Sequence, residues 1–311
     1  MIQLKKYMKQ LMEPWMLFKK TIESFIDDEA LKFSASLSYY TIFSIAPLII
    51  IVISVAGLVF GQDAVEGRVY YQIKSLIGSD AALQIQHIIA TVQLQDKGVA
   101  GTIAGFSILF FGATGVFTEI QSSINYIWGI KAKPKKGIVK FITNRLLSFS
   151  LIISIGFILM VSLLVNSIMD ILYDRLQHLL HITEASVVFL YVLNMVLIFV
   201  VITALFTVIF KVLPDAYIKL KDALLGASFT AVLFILGKFL IGLYVGKSNL
   251  GITYGTAASI IIILVWVYYT SIILYLGAEF TKTYAKLKGG GIKPNAQAVY
   301  IIKTESIEVP A

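Results

Sequence analysis

Long unbroken apolar runs, rather than alternating ones, set the pattern of this chain. Six of them, at 38–60, 101–128, 146–168, 186–210, 222–245 and 252–280, are long enough to cross a bilayer, since about 20 apolar helical residues cover roughly 30 Å of hydrocarbon. The second and sixth exceed that need, which predicts tilt or protrusion. A membrane barrel would show short alternating segments instead. The pattern therefore predicts an all-α integral membrane protein, a bundle of six transmembrane helices. One transmembrane domain is expected over 1–285, followed by a flexible tail over 286–311, where LKGGGIKPN is rich in Lys and Gly.

Two shorter segments show helical periodicity outside the runs. Trp15, Phe18, Ile22, Phe25 and Ile26 recur at helical spacing, with Lys19, Lys20, Glu23 and Asp27 elsewhere on the turn. This predicts an N-terminal amphipathic helix, either lying in the inner membrane interface or packed beneath the bundle as a plug. Between the first two runs, Val65, Val69, Ile73, Leu76 and Ile77 repeat, as do Leu83, Ile88, Ile89 and Val92, with Gly78 and Ser79 between them. A helical hairpin outside the membrane is expected there. No internal repeat stands out, so an inverted three-plus-three arrangement is only a formal option.

Composition changes the picture in one respect. Apolar residues make up 58% and charged residues 14%, against roughly half and a quarter in ordinary globular domains. A soluble surface of this size would need more charge. The formal net charge of +8 reads as membrane topology rather than as a nucleic-acid footprint. Of the 26 Lys and Arg, 20 fall in 1–36, 129–145, 211–221 and after Phe280, and only 5 in the intervening segments. The positive-inside rule then places both termini in the cytoplasm. The first 36 residues are too polar for a signal peptide, and no small-residue cleavage pattern follows the first run. Without cysteine, disulfides and thiolate metal sites are excluded.

Polar groups inside the runs carry the candidate chemistry. In the first, Ser34, Ser38, Thr41 and Ser44 share about a third of the helix circumference. Pro47 follows and frees the carbonyl of Phe43, predicting a kink. Helix packing with a structural bend is the plainer account, and a water-lined face beside a moving kink the sharper one. In the second run Thr114, Thr118, Gln121, Ser122 and Asn125 share a face, with Glu119 at its edge and Trp128 at the expected inner interface. Such a stripe faces other helices or water, not lipid.

The fifth run contains Lys238 and a series of glycines. Gly242 and Gly246, then Gly251 and Gly255, form small-x-x-x-small pairs, as do Gly101 and Gly105. Close helix packing is the favoured reading over dimerisation or hinge motion. A lysine at a helix centre costs about 2.5–3.5 kcal/mol on insertion scales, so Lys238 calls for an explanation. It either snorkels, pairs with Glu119 at similar depth, or meets an anionic substrate. These substrate-path candidates (Lys238, Glu119, Asn125, Ser38, Thr41, Ser44 and Thr118) have no catalytic counterpart. The histidines His87, His178 and His181 lie in expected loops without a supporting carboxylate set. Neither a phosphate-cradling glycine loop nor a Gly-x-Ser-x-Gly motif occurs. Asp27, Asp28 and Glu29 fit an exposed juxtamembrane turn. No catalytic residue, metal or cofactor is expected.

An ordered set of segments resembles the YihY/virulence-factor BrkB family of bacterial inner-membrane proteins. It comprises LSYYTIFSIAPLI with Tyr39, Tyr40, Ser44 and Pro47, and INYIWG with Asn125 and Trp128. FKVLPDAYI follows with Pro214 and Asp215, then DALLGA, LGKFLIGLYV with Lys238, and YGTAASIIIILVWVYYTSIILYLGAEF with Trp266, Tyr269 and Glu279. The resemblance spans roughly residues 30–285. It implies a multi-pass protein of the cytoplasmic (inner) membrane with six helices and cytoplasmic termini. It supplies no settled activity: members carry the label "ribonuclease BN", or are described as serum-resistance factors or transporters. These residues give the nuclease label no support, so no enzyme and no nucleic-acid partner is expected. The leading expectation is a transporter or exporter of a small solute or lipid-like molecule, with the lipid bilayer and an anionic solute or lipid as partners and a homo-oligomer as an option. A non-transporting envelope scaffold is the alternative, and a membrane-embedded enzyme the weakest one.

Overall fold

The computed structural model describes residues 2–42, 115–133, 184–247 and 258–301. Within them, side chains are described apart from those of 2–14, 184–191, 194, 238, 241–247, 258–260 and 262. The expected span at 146–168, the hairpin between the first two runs, Ser44, Pro47 and the three histidines lie outside the described residues.

In chain order the elements are α1 (Ile2–Asp27), the helical stretch α2 (30–42) and the helical stretch α3 (115–127). Then come β1 (Ile130–Ala132), α4 (Glu184–Val212), β2 (Ala216–Tyr217), α5 (Leu220–Lys247), α6 (Ala258–Leu287), β3 (Lys293–Pro294) and β4 (Ala298–Tyr300). Among the described residues, three helices are apolar and long enough to cross a membrane, over Met195–Val212, Leu220–Gly237 and Ile263–Leu287. They match the expected fourth, fifth and sixth runs, with α6 continuing past Phe280 to Leu287. Charges at the helix ends complement the backbone dipole: Asp222 in the first turn of α5, Lys211 and Lys286 in the last turns of α4 and α6.

α5 lies between α4 and α6, and α1 packs on α6. The α5–α6 seam is built from small residues in reciprocal register. A Cβ on Gly226 would fall on the Thr281 side chain, and a Cβ on Gly277 would fall on that of Thr230. Each threonine turns its hydroxyl back to its own helix, Thr230 to the Gly226 carbonyl and Thr281 to the Gly277 carbonyl, both at 2.7 Å. No polar hydrogen is left facing the partner, and the backbones can close as they do in membrane helix pairs. Ala223, Ala227 and Ala231 are fully buried on α5. Phe229 stacks on Phe280 at 4.1 Å between centroids. The glycine pairs singled out in the sequence lie elsewhere. Gly242 and Gly246 fall in the stretch of α5 whose side chains are not described, and the other two pairs lie outside the described residues.

The four short strands were not expected from the sequence, which suggested helices throughout. β1 pairs antiparallel with β4, Ile130 opposite Tyr300, and β2 pairs antiparallel with β3, Ala216 opposite Pro294. Residues 288–301, where the sequence suggested a flexible tail, are therefore stitched to the loops after α3 and after α4. The glycine run contributes close approaches rather than slack. A Cβ on Gly289 would strike Asp222, and one on Gly290 would strike Lys219. Gly291 adopts φ 72°, a conformation glycine takes at little cost. Residues 302–311 lie outside the described residues.

These connections gather the starts of α2 and α5 and the ends of α3, α4 and α6 at one end of the molecule. Lys131, Lys133, Lys211, Lys219, Lys221, Lys286 and Lys293 belong to the same end by position. α1 borders it with a divided face. Thr21 and Phe25 are buried, while Trp15, Phe18 and Ile26 are exposed. The apolar stripe read from the sequence is thus half covered by protein and half left open beside Lys19 and Lys20.

Candidate functional site

Two polar knots sit at this end, both built across long sequence separations. The first depends on the turn between α1 and α2. Glu29 takes φ 51°, a left-handed conformation uncommon outside glycine, and ends α1 with Asp28 directed inward. The Lys282 ammonium lies 2.8 Å from Asp28 Oδ2, 2.8 Å from Glu279 Oε2 and 2.9 Å from the Ile127 carbonyl oxygen. One lysine thereby ties the α1–α2 turn and the end of α3 to α6. Its neighbours are almost out of solvent, with Asp28 at 7% exposure and Glu279 at 0%. Lys282 is close enough to Glu279 for an ion pair but not aligned for a hydrogen bond. Neither Glu279 oxygen accepts one. By contrast, Lys32 donates to Glu29 at 2.9 Å on the open surface, and that bond raises the Lys32 ammonium above its ordinary pKa.

The second knot surrounds Asp215. Asn125 Nδ2 donates to Asp215 Oδ2 at 2.9 Å, and the Asp215 backbone N–H donates to Asn125 Oδ1 at 2.8 Å. Gln121 adds a bond to Oδ2 at 3.2 Å and Asn295 one to Oδ1 at 3.4 Å. The Asn295 N–H also donates to the Asp215 carbonyl at 3.0 Å. α3, the α4–α5 loop and the C-terminal segment meet on a single carboxylate. Pro214 is buried beside it, and Lys211 donates to the Ile218 carbonyl across the same loop. Trp128 is buried at 5% exposure and donates its indole N–H to the Ala278 carbonyl at 3.0 Å. It anchors α3 to α6 just above the knots.

The other expected site residues are dispersed. Ser38 is buried and its hydroxyl bonds the Ser34 carbonyl at 2.7 Å, as Thr41 bonds that of Leu37. Both satisfy themselves within α2, each hydroxyl bonding the carbonyl four residues back. Thr118 is exposed and Glu119 half-buried, with Glu119 near Tyr275 of α6. Tyr39 and Tyr40 are exposed and meet edge to face at 5.9 Å. Trp266 sits edge to face with Phe234 at 5.7 Å, and Tyr269 lies where a Cβ on Gly237 would go. The Lys238 side chain is not described. Its backbone follows Gly237, level with Tyr269, whereas Glu119 lies near Tyr275, six residues or roughly 9 Å away along α6.

Sequence reasoning missed Lys282 altogether and read Asp28 as an exposed turn. Glu279 entered only through a family segment. One signal was available: in GAEFTK an acid and a base stand three apart, the spacing of helical neighbours, provided the helix continues past Phe280.

The model of the family described as "Virulence factor BrkB" matches residues 21–299. The chain belongs to that family. Among relatives, it is 27% identical to a "UPF0761 membrane protein" of Saccharophagus degradans, over 86% of this chain and 59% of the relative. It is 26% identical to one of Azotobacter vinelandii, over 83% and 60%, and 27% identical to one of Alkalilimnicola ehrlichii, over 85% and 57%. The chain thus spans about three-fifths of the length of these relatives. No solved structure matches it. The matched region contains both knots, from Asp28 to Asn295.

Proposed function

We propose that this membrane protein is a transporter or exporter of a small solute or lipid-like molecule, and that the two knots form its closed inner end. The observation that carries this reading is Glu279, a carboxylate buried at 0% exposure in a candidate spanning helix, beside the Lys282 ammonium at 2.8 Å but, among the described residues, with no hydrogen bond to either oxygen. Ionisable groups at such positions are expensive and mark ion or substrate pathways by default. A merely structural acid would be expected to have its lone pairs satisfied. Lys282 holds together three segments that a bundle must part to open inward. The basic end is the cytoplasmic one in this reading, with six spans, both termini inside and no catalytic step. A buried cation beside the path suits an anionic cargo.

The test is flux through purified protein in sealed liposomes. Radiolabelled organic anions and fluorescent anionic and zwitterionic lipids are followed under imposed pH, sodium and potassium gradients. Movement of one class, reduced in Glu279→Gln, is the expected result. No movement of any probe under any gradient overturns the reading. One observation favours the scaffold alternative: the reciprocal Gly–Thr seam of α5 and α6 is a static form of packing. A protein that moves nothing yet keeps its end knots intact would be that scaffold.

A further inference from the structure

We propose that Glu279 carries an exchangeable proton that it donates to Asp28, and that this pair is the proton-coupling site of the transporter inferred above, on which the coupling role rests. The geometry requires a donor that the unprotonated groups lack. Asp28 Oδ2 and Glu279 Oε2 each lie 2.8 Å from the same Lys282 ammonium, which sets the two buried carboxyls side by side, yet two carboxylates are both acceptors and neither can donate. A proton on Glu279 closes that contact and gives the orphaned side chain the bond it otherwise lacks. Asp28 is the better placed to stay ionised, because it accepts a well-formed bond from Lys282 at 2.8 Å, whereas the same ammonium only lies beside Glu279. Among the described residues, the charged groups facing Glu279 are Asp28 from the α1–α2 turn and Lys282 from α6 itself. α3 presents the Ile127 carbonyl, which Lys282 occupies.

A route to this proton lies along the same face. One turn earlier on α6 stands Tyr275, its hydroxyl fully buried and unbonded. The Ser123 hydroxyl of α3 approaches it, also without a closed bond, and Glu119 lies one turn further along α3. A proton leaving Glu279 is taken up at the Tyr275 oxygen as the tyrosine passes its own proton to Ser123, and Ser123 passes its own to the Glu119 carboxylate. Reprotonation of Glu279 in the reverse sense restores each hydroxyl, so no group is consumed. Loss of the proton leaves two carboxylates around one ammonium, and their repulsion loosens α1 from α6.

Infrared spectroscopy of the full chain in liposomes reads this without any substrate. The expected result is a protonated carboxylic-acid carbonyl band at neutral pH that shifts in heavy water and is lost in Glu279→Gln. In Asp28→Asn the band moves, because its acceptor has changed. In Tyr275→Phe it remains but exchanges deuterium more slowly. A proton count by pH titration, one fewer per chain in Glu279→Gln, serves as the second measurement if that variant yields too little folded protein for spectroscopy. Absence of the band, its persistence in Glu279→Gln, or indifference to Asp28→Asn overturns the inference. An unchanged exchange rate in Tyr275→Phe overturns the route. Absent band with intact solute flux sinks the proton site alone. Absent flux with an intact band sinks the transport reading and the coupling role with it.

Discussion

The end of the molecule and the α5–α6 seam solve the same problem with opposite chemistry. Inside lipid there is little hydrophobic drive to bring helices together. The seam answers with shape: Gly226 and Gly277 admit Thr281 and Thr230, and the hydroxyls bond inward to their own backbones. The end answers with charge and directed hydrogen bonds, through Lys282 and Asp215. The difference lies in what each can undo. A seam of fitted surfaces loses contact gradually and has no chemical trigger. A knot around one ammonium or one carboxylate has few members, each of which can be neutralised. The seam suits a rigid unit and the end suits a latch.

The largest effect should follow from removing the Lys282 cation of the latch. Replacing Lys282 by Met leaves Asp28 and Glu279 facing each other in a buried site, and breaking a buried pair from one side typically costs about 3–5 kcal/mol. Thermal unfolding in detergent should show the loss. Glu279→Gln introduced into the same chain should change that loss little, because a protonated Glu279 carries no charge to remove and glutamine keeps a donor for Asp28. A Lys282→Met protein as stable as the parent would mean the cluster carries no load. Next comes Asp215→Ala, which strands the Asn125 amide and the Gln121 amide together. An orphaned buried polar group costs about 1–3 kcal/mol, and Asn125 is the more deeply buried of the two. Limited proteolysis should then cut within 288–301 at lower protease than in the parent, since Asn295 loses a side-chain partner. Asp215→Asn should be milder, because it keeps an acceptor oxygen for Asn125. Equal protection of the C-terminal segment in both variants would contradict the role of Asp215 as its clasp.

How much of this was legible in the sequence follows the same division. The runs at 186–210 and 222–245 fall two residues inside each end of Glu184–Val212 and Leu220–Lys247, because unbroken apolarity is a local property. α6 was cut short for the same reason: Glu279, Lys282 and Lys286 read as the edge of the hydrocarbon, although the helix continues to Leu287. That truncation removed Lys282 from view, and its partner Asp28 lies 254 residues away. The strands left no periodicity to detect, being two or three residues long. Pro214 and Asp215 were flagged through the family resemblance, and Asn125 both through it and through the polar face of the second run. The meeting of Asn125 and Asn295 on Asp215 depends on the fold, because no spacing in sequence relates a helix end to a segment 170 residues later.

The smallest of the three effects should come from the seam, and it is the one that tests whether shape alone governs there. Gly226→Ala adds a Cβ that meets the Thr281 side chain, its Cβ at 2.8 Å, and overpacking of this kind costs about 1–3 kcal/mol. The reciprocal register permits a stricter experiment. In the exchange Gly226→Thr with Thr281→Gly, the bulky residue moves to the other helix while the pair keeps its summed volume. The new threonine at 226 can turn its hydroxyl to the carbonyl four residues back, at Asp222, as Thr230 does to Gly226. If the seam works by complementary surface, the exchange should unfold closer to the parent than Gly226→Thr alone does, giving a favourable coupling between the two positions. Strict additivity would point elsewhere. The lost element would then be the Thr281 bond to the Gly277 carbonyl, and the seam would depend on local hydrogen bonding after all, as the end of the molecule does.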